Sequence, residues 1–124
     1  MASKKSLENS KAVLKMLMVK YPHLFDYRQE YIFPLWSGIT GEIIKDLQIH
    51  PDHHDKIKRA ICYYQSWNSY LVVLAFSKVK YGLWKEEKQQ TTAEERNHAR
   101  ELLIQRNLWS SKAEDGFKGR QLHK

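Results

Sequence analysis

Residues 53–84 read His53-His54-Asp55-Lys56-Ile57-Lys58-Arg59-Ala60-Ile61-Cys62-Tyr63-Tyr64-Gln65-Ser66-Trp67-Asn68-Ser69-Tyr70-Leu71-Val72-Val73-Leu74-Ala75-Phe76-Ser77-Lys78-Val79-Lys80-Tyr81-Gly82-Leu83-Trp84. Three patterns follow one another here. Ile57, Ala60, Ile61 and Tyr64 recur at helical spacing and mark one buried face of a helix. An aromatic turn then leads into a short apolar helix through Tyr70 to Phe76. Lys78 to Trp84 alternates with period two, as a strand does. His53 and His54 fall in the first turn of the helix, where free N–H groups and the helix dipole can hold a phosphate. Lys56, Lys58, Arg59 and Lys80 add cations, and the interleaved aromatics add stacking surfaces. That combination fits nucleic-acid backbone and an unpaired base, RNA before DNA.

Working toward the N-terminus, Asp52 with Asp55 predicts a cap for this third helix, after a break at His50-Pro51. Pro34 suits a first helical position and predicts a second helix from 34 to about 48. Gly38 and Gly41 weaken that helix by about 1 kcal/mol each, which points to close packing over its face. Asp26 to Phe33 is a linker with room for a short strand at Tyr31-Ile32-Phe33. Ser10 predicts an N-cap for a first helix over 11–20, with Val13, Leu14 and Leu17 as its apolar stripe. Tyr21-Pro22 ends it, and His23-Leu24-Phe25 returns to the core.

Toward the C-terminus, the strand predicts a hairpin whose second arm lies near Lys88 to Thr91. Thr92-x-x-Glu95 is a capping box that opens a last helix with Ala99, Leu102 and Leu103 inward. Arg96, Arg100 and Arg106 supply charge on it. Periodicity is lost after Asn107. The expected organisation is a loose arm over 1–9, a domain over 10–108 and a basic tail over 109–124.

The bulk numbers bound the function. The chain has 124 residues, with 21 Lys+Arg against 14 Asp+Glu, for a net charge of +7 and a pI near 9.5. One domain is expected at this length, with a surface that attracts polyanions. Cys62 is the single cysteine, so no internal disulfide can form. There is no signal-peptide pattern, and no apolar run approaches a membrane span. A cytoplasmic monomer away from membranes is expected. His50, His53, His54, Cys62 and His98 lack the paired spacing of a zinc site. No phosphate loop, nucleophile elbow or paired carboxylates stand out, so neither an enzyme nor a cofactor is expected. The alternatives are a DNA-binding regulator using the third helix, and a protein-interaction or ribosome-associated module.

Four segments carry a resemblance: Tyr21-Pro22-His23-Leu24-Phe25, Pro34-Leu35-Trp36-Ser37-Gly38-Ile39, Tyr70-Leu71 and His98-Ala99-Arg100. In this order and spacing, over about residues 10–107, the chain resembles the FinO/ProQ domain of bacterial RNA chaperones, as a member made of the domain alone. The resemblance implies a predominantly helical α+β domain of about five helices with a small β-hairpin. It also implies an RNA partner, a terminator-type hairpin with a single-stranded 3′ tail, and a role in small-RNA-based post-transcriptional regulation. The family's tyrosine that lines the 3′-end pocket is matched by Tyr70, its basic residue on the third helix by Lys58, and its strand arginine by Lys80. A lysine and an arginine of the family pattern are replaced by Trp36 and Cys62. These changes remove two cations and leave Trp36 to stack where a lysine would pair.

Overall fold

The computed structural model describes residues 4–122. Six helices and one hairpin follow in order: α1 (Lys4–Lys20), α2 (Ile39–Leu47), α3 (His54–Gln65), α4 (Asn68–Phe76), β1 (Val79–Tyr81), β2 (Glu87–Gln90), α5 (Ala93–Gln105) and α6 (Ser111–Leu122). Short 3-10 turns at Gln29–Tyr31 and Pro51–His53 precede α2 and α3.

The stripe that sequence periodicity marks on α3 is the buried one: Ile57, Ala60, Ile61 and Tyr64 are all within 3% of full burial. It packs in one cluster with Leu14 and Leu17 of α1, Tyr21, Leu24 and Phe25 after it, and Ile39 and Ile43 of α2. α4 is short and, after Asn68 and Ser69 in its first turn, almost uniformly apolar. Tyr70 joins the first cluster, while Leu71 and Ala75 pack with Ala99 and Leu103 of α5 and Phe117 of α6. α4 thus ties two small cores together.

β1 and β2 are antiparallel. Lys80 pairs with Gln89 but Tyr81 with Glu87, which leaves Lys88 bulged. The turn closes without Asn-Gly chemistry: the Gly82 N–H donates to the Glu86 carbonyl at 2.8 Å, and Lys85 takes a left-handed φ of 65°. The strand is shorter than its alternation predicts, because Gly82 and Leu83 already turn inward and are buried.

Several expectations fail for identifiable reasons. α1 starts at Lys4, so most of the expected arm over 1–9 is helix; residues 1–3 lie outside the described part. Nothing before Ser10 breaks the helix, and Ser10 sits inside it, 8% exposed, rather than capping it. α2 begins at Ile39 instead of Pro34, because Pro34 and Trp36 give their backbone groups to Tyr81 of β1. The segment expected as a short strand at 31–33 begins instead as the 3-10 turn Gln29–Tyr31. α3 lacks the Asp52/Asp55 capping box; His50 Nδ1 accepts from the Asp52 N–H at 3.1 Å, and the Pro51–His53 turn feeds the helix. The close packing expected over Gly38 and Gly41 holds at the first alone: a Cβ on Gly38 would collide with the Trp36 ring, whereas one on Gly41 would meet nothing within 4 Å.

The largest correction concerns residues 109–124. Ser111–Leu122 form α6, with residues 123–124 outside the described part. Phe117 is 7% exposed and meets Phe76 and Trp109 edge-on, while Phe76 and Trp109 stack at 5.6 Å. Arg100 clamps α6 to α5 with two N–H groups on the Glu114 carboxylate, one of them at 2.6 Å. These hydrogen bonds hold the Glu114 carboxyl down at about 2.

Two outcomes follow. Phe117→Ala should cost about 3 kcal/mol in urea unfolding, the low end for a buried phenylalanine; a loose tail would give no change. Glu114 is held as the anion in the folded state, so its contribution is present above the ordinary carboxyl value of 4.5 and is lost as pH falls toward 2. Glu114→Gln should remove that acid-dependent loss from an unfolding titration.

Candidate nucleic-acid interface

The site is built around one hydroxyl. The Trp36 N–H donates to the Tyr81 carbonyl at 3.1 Å, and the Tyr81 N–H donates to Pro34 at 2.8 Å. Between those two bonds the Leu35 N–H faces the other way and donates to the Tyr70 hydroxyl at 3.0 Å. The Gln65 amide donates to the same oxygen at 3.4 Å. A phenol has two acceptor sites and one donor, so with both lone pairs engaged its hydrogen is left to donate. Burial, set against these two bonds, pushes the hydroxyl pKa up and keeps it protonated.

Tyr70 is only 2% exposed. Its ring is core, and the residue also lines a cleft of about 290 Å³. Leu35, Leu71, Leu74 and Leu102 complete the apolar part of the lining, and Lys80, Glu95, His98 and Arg106 complete the rest with Gln65 and Ser66. Glu95, His98 and Leu102 share one face of α5, since they follow at steps of three and four, and Arg106, the residue that caps its C-terminus, follows four further on.

Two of these cations are wired in place. Lys80, its side chain 11% exposed, is ion-paired with Glu95. Glu95 also completes the capping box, accepting the Thr92 N–H at 3.0 Å while the Thr92 hydroxyl accepts the Glu95 N–H at 3.1 Å. Burial pushes the Glu95 carboxyl up, but the hydrogen bonds from Lys80 and Thr92 and the lysine charge outweigh it, and the net shift is downward. Arg106 spans the rim, with Nη1 donating to the Ser66 carbonyl at 3.0 Å and to Asn68 Oδ1 at 2.7 Å.

Of the residues singled out from sequence, the structure brings together Tyr70 and Lys80. The others lie elsewhere. His53 and His54 stand at the far end of α3, about 18 Å along the axis from Ser66. His54 bonds the Ile49 carbonyl through Nε2 at 3.0 Å, while His53 is exposed. Lys56 and Lys58 are exposed along α3, and Arg59 is paired with Asp55 at 2.8 Å. Trp36 is half-buried; its indole N–H bonds Glu42, and the Lys88 ammonium lies 5.4 Å from its ring centre. Cys62 is exposed. Sequence reasoning missed Gln65, Ser66, Glu95, His98 and Arg106 as members of the cleft. The only available signal was the i, i+3, i+7, i+11 spacing from Glu95 to Arg106.

Among the described residues no group of three or more His, Cys, Asp or Glu could hold a metal ion, and no helix is long and apolar enough to cross a membrane.

Tyr70→Phe tests the node directly. It keeps the ring but orphans the buried Leu35 N–H, so unfolding free energy should fall by about 1–3 kcal/mol. An unchanged denaturant midpoint would mean that the hydroxyl is dispensable to the fold.

The fold has counterparts among solved structures. A FinO-like RNA chaperone from Neisseria meningitidis aligns with a TM-score of 0.60 and 21% identity, covering 77% of this chain and 74% of its own. The solution structure of a ProQ homologue from Legionella pneumophila aligns with a TM-score of 0.60 and 18% identity, covering 90% of both chains. A search of curated proteins gives no match. The model of the ProQ/FINO family matches residues 7–115, which takes in all of α2 to α5 and most of α1. With nearly the whole described chain inside that match, the protein belongs to the ProQ/FinO family.

Proposed function

We propose that the protein is an RNA-binding chaperone that holds a terminator-type hairpin by its stem and its single-stranded 3′ tail, in small-RNA-based post-transcriptional regulation in the cytoplasm. It would act as a monomer, by binding rather than catalysis. The observation that carries this reading is the cleft in which the Tyr70 hydroxyl, Lys80, His98 and Arg106 converge over an apolar floor. Its volume of about 290 Å³ lies at the small end for ligand sites. It suits one nucleotide rather than a duplex, so the natural occupant is a chain end. Tyr70 can donate to a ribose oxygen, and Lys80 and Arg106 can meet the preceding phosphate.

The family match and the FinO-like RNA chaperone among the structural neighbours support an RNA partner. The remaining cations suit a different task. Lys56, Lys58 and Arg59, with His53 and His54, line exposed α3 and would take the phosphates of the stem, whose deep A-form groove hides its base edges. Trp36, already under Lys88, offers a mixed stacking and cationic edge beside β1.

The reading is tested with one stem in three forms. A hairpin with a uridine tail and a free 3′ hydroxyl should bind much more tightly than a blunt one. It should also outbind the same tail ending in a 3′ phosphate, because Glu95 already neutralises Lys80 and would face the added charge. Lys58→Ala should weaken binding to all three and lower the slope of log affinity against log salt by about one. Equal affinity for the three hairpins would reduce the protein to a generic basic RNA surface.

A further inference from the structure

The Tyr70 cleft has a neighbour. Ser66 and Arg106, which form its rim, also line a wider groove of about 760 Å³ with Gln29, Trp67, Asn68 and Ser69. No carboxylate is among these six residues. They offer two amides, two hydroxyls, an indole and a guanidinium. Arg106 uses Nη1 for Ser66 and Asn68; a guanidinium has five N–H donors, so Nε and Nη2 remain to donate outward.

Trp67, in that lining, carries further aromatic rings beside the groove. Trp67 rests edge-on against Tyr64 and Tyr63, at 5.0 and 5.9 Å. Tyr27 lies flat on Trp67, with centroids 5.5 Å apart and planes 15° apart. Tyr27 is nevertheless 63% exposed. One face is spent on Trp67 and the other is presented to solvent. Arg28 beside it is held by Asp26, at 2.9 and 3.1 Å, over the Tyr31 ring at 4.1 Å, and so does not cover Tyr27.

We propose that this groove holds the unpaired RNA nucleotides that precede the terminal one, with a base stacked on the outer face of Tyr27 and the backbone against Arg106. The inference rests on the Tyr70 cleft receiving the 3′ end, since Ser66 and Arg106 line both spaces and so set them side by side. Stacking on an exposed aromatic favours unpaired bases whatever their sequence, because every base has a π-face. The donor-rich, carboxylate-free lining favours a polyanion over an ordinary peptide.

The test uses the full chain and hairpins that share a stem but carry either a single-uridine or a long uridine tail. Tyr27→Ala and Tyr27→Leu should each weaken binding of the long-tailed hairpin by about tenfold and leave the single-uridine hairpin unchanged. Tyr27→Trp should keep wild-type affinity for both. Tyr27→Leu still covers Trp67, so a loss in that variant reflects the lost π-face rather than a disturbed fold, and thermal melting monitors the fold independently. Undiminished binding of the long tail by Tyr27→Ala would overturn the proposal and leave the groove to a partner other than RNA. So would an equal loss for both tails. If wild-type protein fails to distinguish tailed from blunt hairpins, the reading of the cleft itself fails, and the groove inference falls with it.

Discussion

The hydrogen bond from the Leu35 N–H to the Tyr70 hydroxyl is the constraint on which the site depends. It joins Leu35, which forms a single parallel β-bridge to Tyr81 of β1, to the short helix shared by both cores. The flanking bonds of Pro34 and Trp36 to Tyr81 bring β1 to the same point. Lys80 is one residue before Tyr81, so its position over the cleft is set by that backbone triangle. Losing the phenol would leave a buried N–H unsatisfied, which costs more than the net value of an ordinary hydrogen bond. The same oxygen therefore serves the fold with its lone pairs and keeps its hydrogen to donate, on a residue that lines the cleft.

Two kinds of cation are present, and they differ in what holds them. Lys80 and Arg106 are fixed by Glu95, Ser66 and Asn68, so they pay little ordering entropy when a ligand arrives. That preorganisation suits discrimination at one position. Lys56 and Lys58 stand in solvent on α3. They suit longer-range attraction that salt screens. The Lys80–Glu95 pair also limits what the cleft accepts. A carboxylate at its wall compensates the lysine, so under the proposed function a terminal hydroxyl would be accommodated more readily than an added phosphate.

Local signals in the sequence held in part, since the caps read at Ser10 and at Asp52 with Asp55 did not form. The α3 stripe of Ile57, Ala60, Ile61 and Tyr64 is buried as its period requires, and the Thr92–Glu95 capping box forms in full. The four family segments fall at the Tyr21–Phe25 return, the Leu35 node, Tyr70 and α5, all close to the core. What was not legible depends on partners distant in sequence. α6 has no clean apolar period, yet Phe117 and Glu114 meet Phe76, Trp109 and Arg100 and make it a packed helix. Pro34 signals a helix start only if its carbonyl is not claimed by Tyr81. Glu95 could be read as a cap, but not as the partner of Lys80, because the hairpin that brings them together is set by tertiary packing. Tyr70 could be read as core or as pocket; it is a core residue, 2% exposed, that also lines the cleft.

The most direct test of the central claim is photo-cross-linking from a 4-thiouridine at the 3′ terminus of a tailed hairpin, with the attached peptides identified by mass spectrometry. Cross-links should fall on the Gln65–Tyr70 segment, on Lys80 or on the His98–Arg106 stretch of α5, and should be competed away by unlabelled tailed hairpin but not by a blunt one. Cross-links spread along exposed α3 at Lys56 and Lys58, with none in those three segments, would contradict the account.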